Sequence, residues 1–130
     1  MARQFDTLWG YLALARRPGQ SVEVDDRTRL LVSELAAERS GCRWCIDRAR
    51  HDWRAAGLPM DLLQELSRHD TSPGFTEQDR AVLALVDAVA CAGGNVAAAL
   101  ASVRRHFSDR GLAELTACLA DHHLLADGHP

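Results

Sequence analysis

Residues 30–57 read LLVSELAAERSGCRWCIDRARHDWRAAG and contain the strongest structural signal in the chain. The first half places apolar residues such as Leu31 and Leu35 at helical spacing. The pair Ser40-Gly41 interrupts this pattern, and Ser40 is a suitable N-cap for a second helix. We therefore expect two helices joined by a short break, with the motif Cys42-Arg43-Trp44-Cys45 at the start of the second one.

Helical signals continue on both sides of this stretch. Ala and Leu are abundant and β-branched residues are few, which favours helices over strands. The length of 130 residues fits a single domain spanning 1–130. The sequence predicts an all-α protein of about six to seven helices. They are Phe5 to Arg16, Asp25 or Asp26 to about Arg39, Cys42 to the residue before Gly57, a short helix opened by Pro59, and three helices capped by Thr76, Asn95 and Ser108.

Composition excludes several classes of function. The formal net charge is −3 and no block of like charges occurs, which is untypical of a nucleic-acid-binding protein. No run of about 18 apolar residues is present, so we expect no membrane span. Asp6 lies where a secretory signal would need an apolar segment. These features predict a cytoplasmic protein.

The cysteine spacing indicates where the chemistry lies. In a reducing compartment a close pair is more often redox-active or metal-binding than a structural disulfide. At a helix start, unpaired amides and the helix dipole favour a thiolate, and a second thiol nearby can resolve the oxidised product. Arg48 follows Cys45 by three residues on nearly the same face, and it either favours the thiolate further or is a solvated surface arginine. Cys91 and Cys118 are expected to be ordinary helix-core residues.

Two other interpretations of the pair remain. In the first interpretation, Cys42 and Cys45 supply half of the ligands of a zinc site. The other ligands would come from Cys118, His51, His122 or His123. Adjacent residues on a helix diverge by about 100°, so His122 and His123 are a poor second ligand pair. In the second interpretation the cysteines are small buried side chains. We predict no metal and no cofactor.

The whole pattern resembles a known family. Residues 30–57, with the Ser-Gly-Cys-x-x-Cys entry and the Ala-Gly-Leu exit, and residues 74–85, GFTEQDRAVLAL, are similar to the alkylhydroperoxidase D-like (AhpD-like) family, also called the carboxymuconolactone decarboxylase family. The resemblance covers roughly residues 25–90. It implies an all-helical fold, homotrimers or higher homo-oligomers, and reduction of hydroperoxides or disulfides with a thiol or dihydrolipoyl reductant. It also implies that Cys45 attacks the peroxide and Cys42 resolves the product. A helix-start dithiol in general would instead favour attack by the first Cys, because that thiol is more exposed, and here we follow the family's order.

The chain departs from the proton relay of the family's redox members. Those members have a His four residues after the second Cys, a Glu about twelve residues before the first, and often a His within the motif. Here these positions are Ala49, Leu30 and Trp44. We therefore expect weak peroxidase activity, since general acid–base help is worth about 10²- to 10⁴-fold.

Substitutes for the relay are scarce. Glu34 lies one turn nearer the dithiol than Leu30 on the same helix face, and is either a displaced general base or a surface glutamate. His51 is about 240° around the helix from Cys45, so it cannot meet that sulfur within one helix. We predict Cys45, Cys42, Glu34 and Arg48 as the catalytic set of a thiol-dependent peroxidase. The alternatives are a lactone decarboxylase, whose members do not need the dithiol, and a helical oligomer that only senses redox state.

Overall fold

The computed structural model describes residues 23–91 and 93–128, with side chains described as far as residue 120. The predicted helix from Phe5 to Arg16, including Trp9, lies outside these residues. Within them the secondary structure consists of helices and turns, which confirms the all-α prediction. The α-helices of this part are α1 (Asp26–Ser40), α2 (Arg43–Ala55), α3 (Met60–Glu65), α4 (Glu77–Ala90), α5 (Val96–Val103) and α6 (Asp109–Gly128), with a 3₁₀ turn at Leu66–Arg68.

Helix starts follow the capping residues in the sequence. The Asp25 carboxylate accepts the N–H of Thr28 at 2.8 Å at the start of α1. At the start of α4, Thr76 and Asp79 form a reciprocal capping box, which satisfies two amides that the helix leaves unpaired. Asn95 caps α5 with its side-chain oxygen, which accepts the N–H of Ala98 at 3.0 Å. These local bonds explain why the predicted boundaries agree with the structure.

Helix α1 is the centre of the fold, because it packs against α2, α4 and α6. Helix α4 also packs against α5. The apolar side chains of these helices form one core, in which Leu31, Leu35 and Trp53 are completely buried. Trp53 also donates its indole N–H to the carbonyl oxygen of Pro59 at 3.1 Å, which fixes the chain beyond α2. Trp53 is therefore an anchor of the core.

The connection between α1 and α2 is as short as predicted, but a different residue caps α2. Gly41 adopts the left-handed conformation with φ 69° and donates its N–H to the carbonyls of Ala37 and Glu38. Cys42, not Ser40, is the N-cap of α2, and its sulfur accepts the N–H of Cys45. The Ser40 hydroxyl instead accepts the Cys42 N–H at 3.4 Å, outside the helix. Because Gly41 is the C-cap of α1, Ser40 is still the last residue of α1 and is not the N-cap of α2.

The structure contradicts one of the two core predictions made for the cysteines outside the pair. Cys91 is exposed at the C-cap of α4 and is not a core residue, because α4 ends there and the chain turns away. Cys118 is partly buried and packs against the core.

Each helix in the described segments is too short or too polar to cross a bilayer.

Candidate functional site

The dithiol lies at the junction of α1 and α2. Cys42 has an extended backbone, with φ −77° and ψ 110°, and Cys45 follows in the first turn of α2. The Cys42 sulfur accepts the backbone N–H of Cys45 at 3.3 Å. Both side chains are thiols in this structure. The helix start therefore directs one of its unpaired amides onto the Cys42 sulfur, as a thiolate requires.

The two thiols have different environments. Cys42 is partly exposed, whereas Cys45 is 1% exposed. Hydrogen bonds from the Cys45 thiol and from the Cys45 backbone N–H lower the pKa of Cys42 below its ordinary value. Burial, followed by the bond to Cys42, raises the pKa of Cys45 to about 11. Cys42 is thus the more accessible and the more acidic thiol of the pair, and Cys45 is a buried thiol that donates to it.

The buried side of Cys45 is closely packed by small residues. Ala37 of α1 and Ala49 of α2 form a cluster with Cys45, and Ile46 packs against it. Ala49, at the position where the resemblance implies a relay histidine, is 3% exposed. An imidazole there would overpack the cluster, a change that typically costs about 1–3 kcal/mol. Leu30, at the position of the relay glutamate, packs against the main core. Ala49 and Leu30, which occupy the two relay positions, are therefore both packing residues of the protein interior.

Glu34 is inside the protein, so the interpretation as a surface glutamate is wrong. Its side chain is 0% exposed, and its Oε1 accepts a hydrogen bond from Arg50 Nε at 3.3 Å. Among the residues that the structure describes, Oε2 of Glu34 has no hydrogen-bond partner, although it too is buried. Burial first, and then the charge of Glu38, raise the pKa of Glu34 from its ordinary 4.5 to about 7.

Arg50 is the site residue that the sequence analysis missed. Its guanidinium is 44% exposed at one end of the pair, while Glu34 is completely buried at the other. A signal was available in the sequence, since Glu34 lies three residues after Leu31 and three before Ala37, on the buried stripe of α1. A buried acid needs a cationic partner, and α2 is rich in arginine.

The burial of Glu34 predicts a pH-dependent stability. The folded chain holds the Glu34 proton more tightly than the unfolded chain, so this contribution is fully present below about pH 4.5 and is lost as pH rises to about 7. We expect the unfolding free energy to fall by about 3 kcal/mol over this range, relative to Glu34→Gln. Urea unfolding of both proteins at pH 5 and pH 8 measures the difference. An unchanged difference between them at the two pH values would contradict the assignment.

The remaining candidates lie on the outer surface of α2. Arg48 is 64% exposed, and the bond that the structure gives it is to Asp52 at 3.4 Å. This arrangement matches the solvated interpretation of Arg48 better than a role beside the buried Cys45 sulfur. His51 is exposed, as expected. Trp44, between the two cysteines, is 53% exposed.

The zinc interpretation finds no support in the described part of the chain. No group of three or more His, Cys, Asp or Glu side chains there is arranged to hold a metal ion. The side chains of His122 and His123 lie outside the described residues. The Cys42 sulfur caps α2 by accepting the backbone N–H of Cys45.

Comparison with known proteins finds similarity to solved structures. No known family profile matches the chain, and no curated protein matches it. Among solved structures it is similar to a protein of unknown function from Agrobacterium tumefaciens, to which the description antioxidant defence protein AhpD is provisionally attached. The two chains superpose with a TM-score of 0.72 and 26% sequence identity, over 100% of this chain and 92% of the other.

Proposed function

We propose that this chain, whose fold is similar to that of a structure described as AhpD, belongs to the AhpD-like family, and that Cys42 and Cys45 form a redox-active pair that reduces hydroperoxides or disulfides. The observation that carries the proposal is the asymmetry of the pair. An accessible thiol with a lowered pKa sits at a helix start, and a buried thiol donates a hydrogen bond to it. A dithiol catalyst needs this combination of a nucleophile and a thiol that resolves its product.

The first step uses Cys42. Its thiolate attacks one oxygen of the hydroperoxide, so that an S–O bond forms and the O–O bond breaks. Cys42 becomes a sulfenic acid, and the alkoxide that leaves takes a proton to become an alcohol. The family resemblance assigns this attack to Cys45. Exposure and pKa both favour the opposite order in this chain, because Cys45 is buried and its pKa is about 11.

The second step uses Cys45. Its sulfur attacks the sulfenic sulfur, an S–S bond forms, and the oxygen leaves as water after the Cys45 proton has been transferred. With a disulfide substrate, Cys42 forms a mixed disulfide that Cys45 displaces. Either reaction oxidises the dithiol by two electrons. A small dithiol of the dihydrolipoyl class would return them and restore Cys42 and Cys45.

The redox-sensing function is the second candidate. The observation that favours it is the packing of Ala49, which leaves the dithiol without the family's relay histidine. A sensor would form the same disulfide slowly and without turnover. The intact dithiol argues against the decarboxylase alternative, whose members do not need it.

Thiol titration tests the proposal. The chain has four cysteines, and one equivalent of cumene hydroperoxide should lower the titratable thiols from four to two in the denatured protein. Dihydrolipoamide should then restore all four. Cys91→Ser is the matched control, because this exposed cysteine lies outside the pair, and the variant should also lose two thiols. Loss of a single thiol, or of none, would contradict a resolving dithiol.

A homotrimer or higher oligomer and a cytoplasmic location are part of the proposal. The apolar side chains of α4 do not form a surface for assembly. Val82, Leu83, Leu85 and Val86 are buried within one chain, against α1 and α5. Light scattering at micromolar concentration measures the assembly state.

A further inference from the structure

A buried, half-partnered acid is costly to a folded protein. Glu34 is 0% exposed, yet in the described part of the chain its Oε2 has no hydrogen-bond partner. Leaving such a group unsatisfied typically costs about 1–3 kcal/mol, and more when it is charged. A leucine at this position would complete the apolar stripe of α1 without that cost. An oxygen that gains and loses a proton during a reaction is one explanation for keeping it.

The position of Glu34 relates it to the dithiol. It precedes Ala37 by three residues, which is about 4.5 Å along α1. Ala37 contacts the cluster of Cys45 and Ala49, and Arg50 follows Ala49 directly. Glu34 therefore lies one helical turn before the residue of α1 that packs against Cys45, and its bond to Arg50 places its carboxyl between α1 and α2.

Arg50 is the cation that holds Glu34 in place. Its Nε donates to Oε1 at 3.3 Å, which leaves Oε2 as the open oxygen. Glu38, on the same helix, opposes ionisation of Glu34. The acids that α4 and α6 place near α1 bind other groups: Asp79 pairs with Arg27, Asp87 with Arg39, and Glu114 accepts the N–H of Val24. Burial and Glu38 thus favour the neutral acid at Glu34, and Arg50 favours the carboxylate.

We propose that Arg50 is a positioning residue for disulfide closure, which holds Glu34 ready to accept the Cys45 proton. When Cys45 attacks the sulfenic sulfur, its proton passes to the Glu34 carboxylate. The carboxylic acid then returns the proton to the hydroxide that leaves, and water forms. This inference rests on the proposed function for its place in a cycle, but the closure step itself can be measured without any peroxide.

The probe for closure is 5,5′-dithiobis(2-nitrobenzoate). Cys42 attacks it and releases one thionitrobenzoate, and Cys45 then closes the disulfide and releases a second one. Stopped-flow absorbance separates the two phases. Closure in the wild type should rise with pH through about 7, as Glu34 ionises. Glu34→Gln should slow the second phase by about 10²-fold, without this pH dependence, and should leave the first phase unchanged.

Arg50→Gln removes the cation and keeps the acid. Glu34 should then hold its proton to higher pH, so that closure at pH 7 slows about fivefold and its pH midpoint rises by about one unit. Arg50→Lys should restore most of the wild-type profile. Arg54→Gln, an exposed arginine one turn further along α2, is the matched control and should not change it. A merely structural role would change folding stability without moving the pH midpoint.

Two results would overturn the proposal. One is an unchanged pH midpoint in Arg50→Gln, and the other is full-speed closure in Glu34→Gln. Failure of the proposed function has a different signature, in which the wild type closes its disulfide with the probe but does not reduce cumene hydroperoxide. That result would leave Arg50 as a positioning residue for a redox-sensing disulfide.

Discussion

Replacing Cys42 with serine is expected to lower the rate of reaction with a hydroperoxide by about 10³-fold or more. A serine hydroxyl does not ionise near neutral pH, whereas the Cys42 thiol has a lowered pKa and a partly exposed sulfur. The remaining Cys45 is 1% exposed with a pKa of about 11, so it offers almost no thiolate to the peroxide. Competition kinetics with cumene hydroperoxide measures the loss.

Cys45→Ser is the matched variant, because it removes the resolving thiol and keeps the nucleophile. We expect it to react once, at a rate near that of the wild type, and to stop at the Cys42 sulfenic acid. Intact-protein mass spectrometry should show the gain of one oxygen atom, and dimedone should trap the product. If Cys42→Ser reacts and Cys45→Ser does not, Cys45 is the attacking thiol, as the family resemblance implies. Our assignment of the attack to Cys42 from its exposure would then be wrong.

The largest effect on stability is expected from Trp53→Ala. The side chain is 0% exposed, belongs to the main core and bonds to Pro59 through its indole N–H. Removal of a buried tryptophan leaves a cavity and typically costs about 3–5 kcal/mol. That is a large share of the total stability of a domain of this size, which is about 5–15 kcal/mol. Urea unfolding followed by circular dichroism measures the change.

Trp44→Ala is the control for this experiment. Trp44 is 53% exposed, so its replacement should change the unfolding free energy by no more than about 1 kcal/mol. Trp53→Phe should lie between the wild type and Trp53→Ala, because it fills most of the site but lacks the bond to Pro59. Equal losses in Trp44→Ala and Trp53→Ala would show that Trp53 is not the core anchor.

The chain has apolar residues at the two relay positions, 30 and 49, and a buried acid, Glu34, nearby on α1. A small residue at position 49 lets α2 approach α1 closely, and Ala37 packs against it. Glu34 then lies deeper in the same interface, with Arg50 as its partner. The relay positions Leu30 and Ala49 have become packing residues. In our proposal an acid–arginine pair replaces the glutamate–histidine relay.

Local features could be predicted from the sequence. Asp25, Thr76 and Asn95 each cap a helix where the sequence placed one, since a cap needs only the three residues that follow it. The break at Ser40-Gly41 and the dithiol beside it follow from the same short-range chemistry. The all-helical fold follows from composition and periodicity, and the structural match agrees with it.

The sequence by itself therefore determined the described helices, the caps of α1, α4 and α5 and the position of the dithiol, because these depend on residues within one or two turns of each other. Only the tertiary structure decided that Glu34 is buried and that Arg50 is its partner. The physical reason is that α1 is covered by α2, α4 and α6 together. A helix packed on several sides buries positions that a one-sided amphipathic pattern assigns to solvent, and the pKa of a buried group depends on side chains far away in the chain.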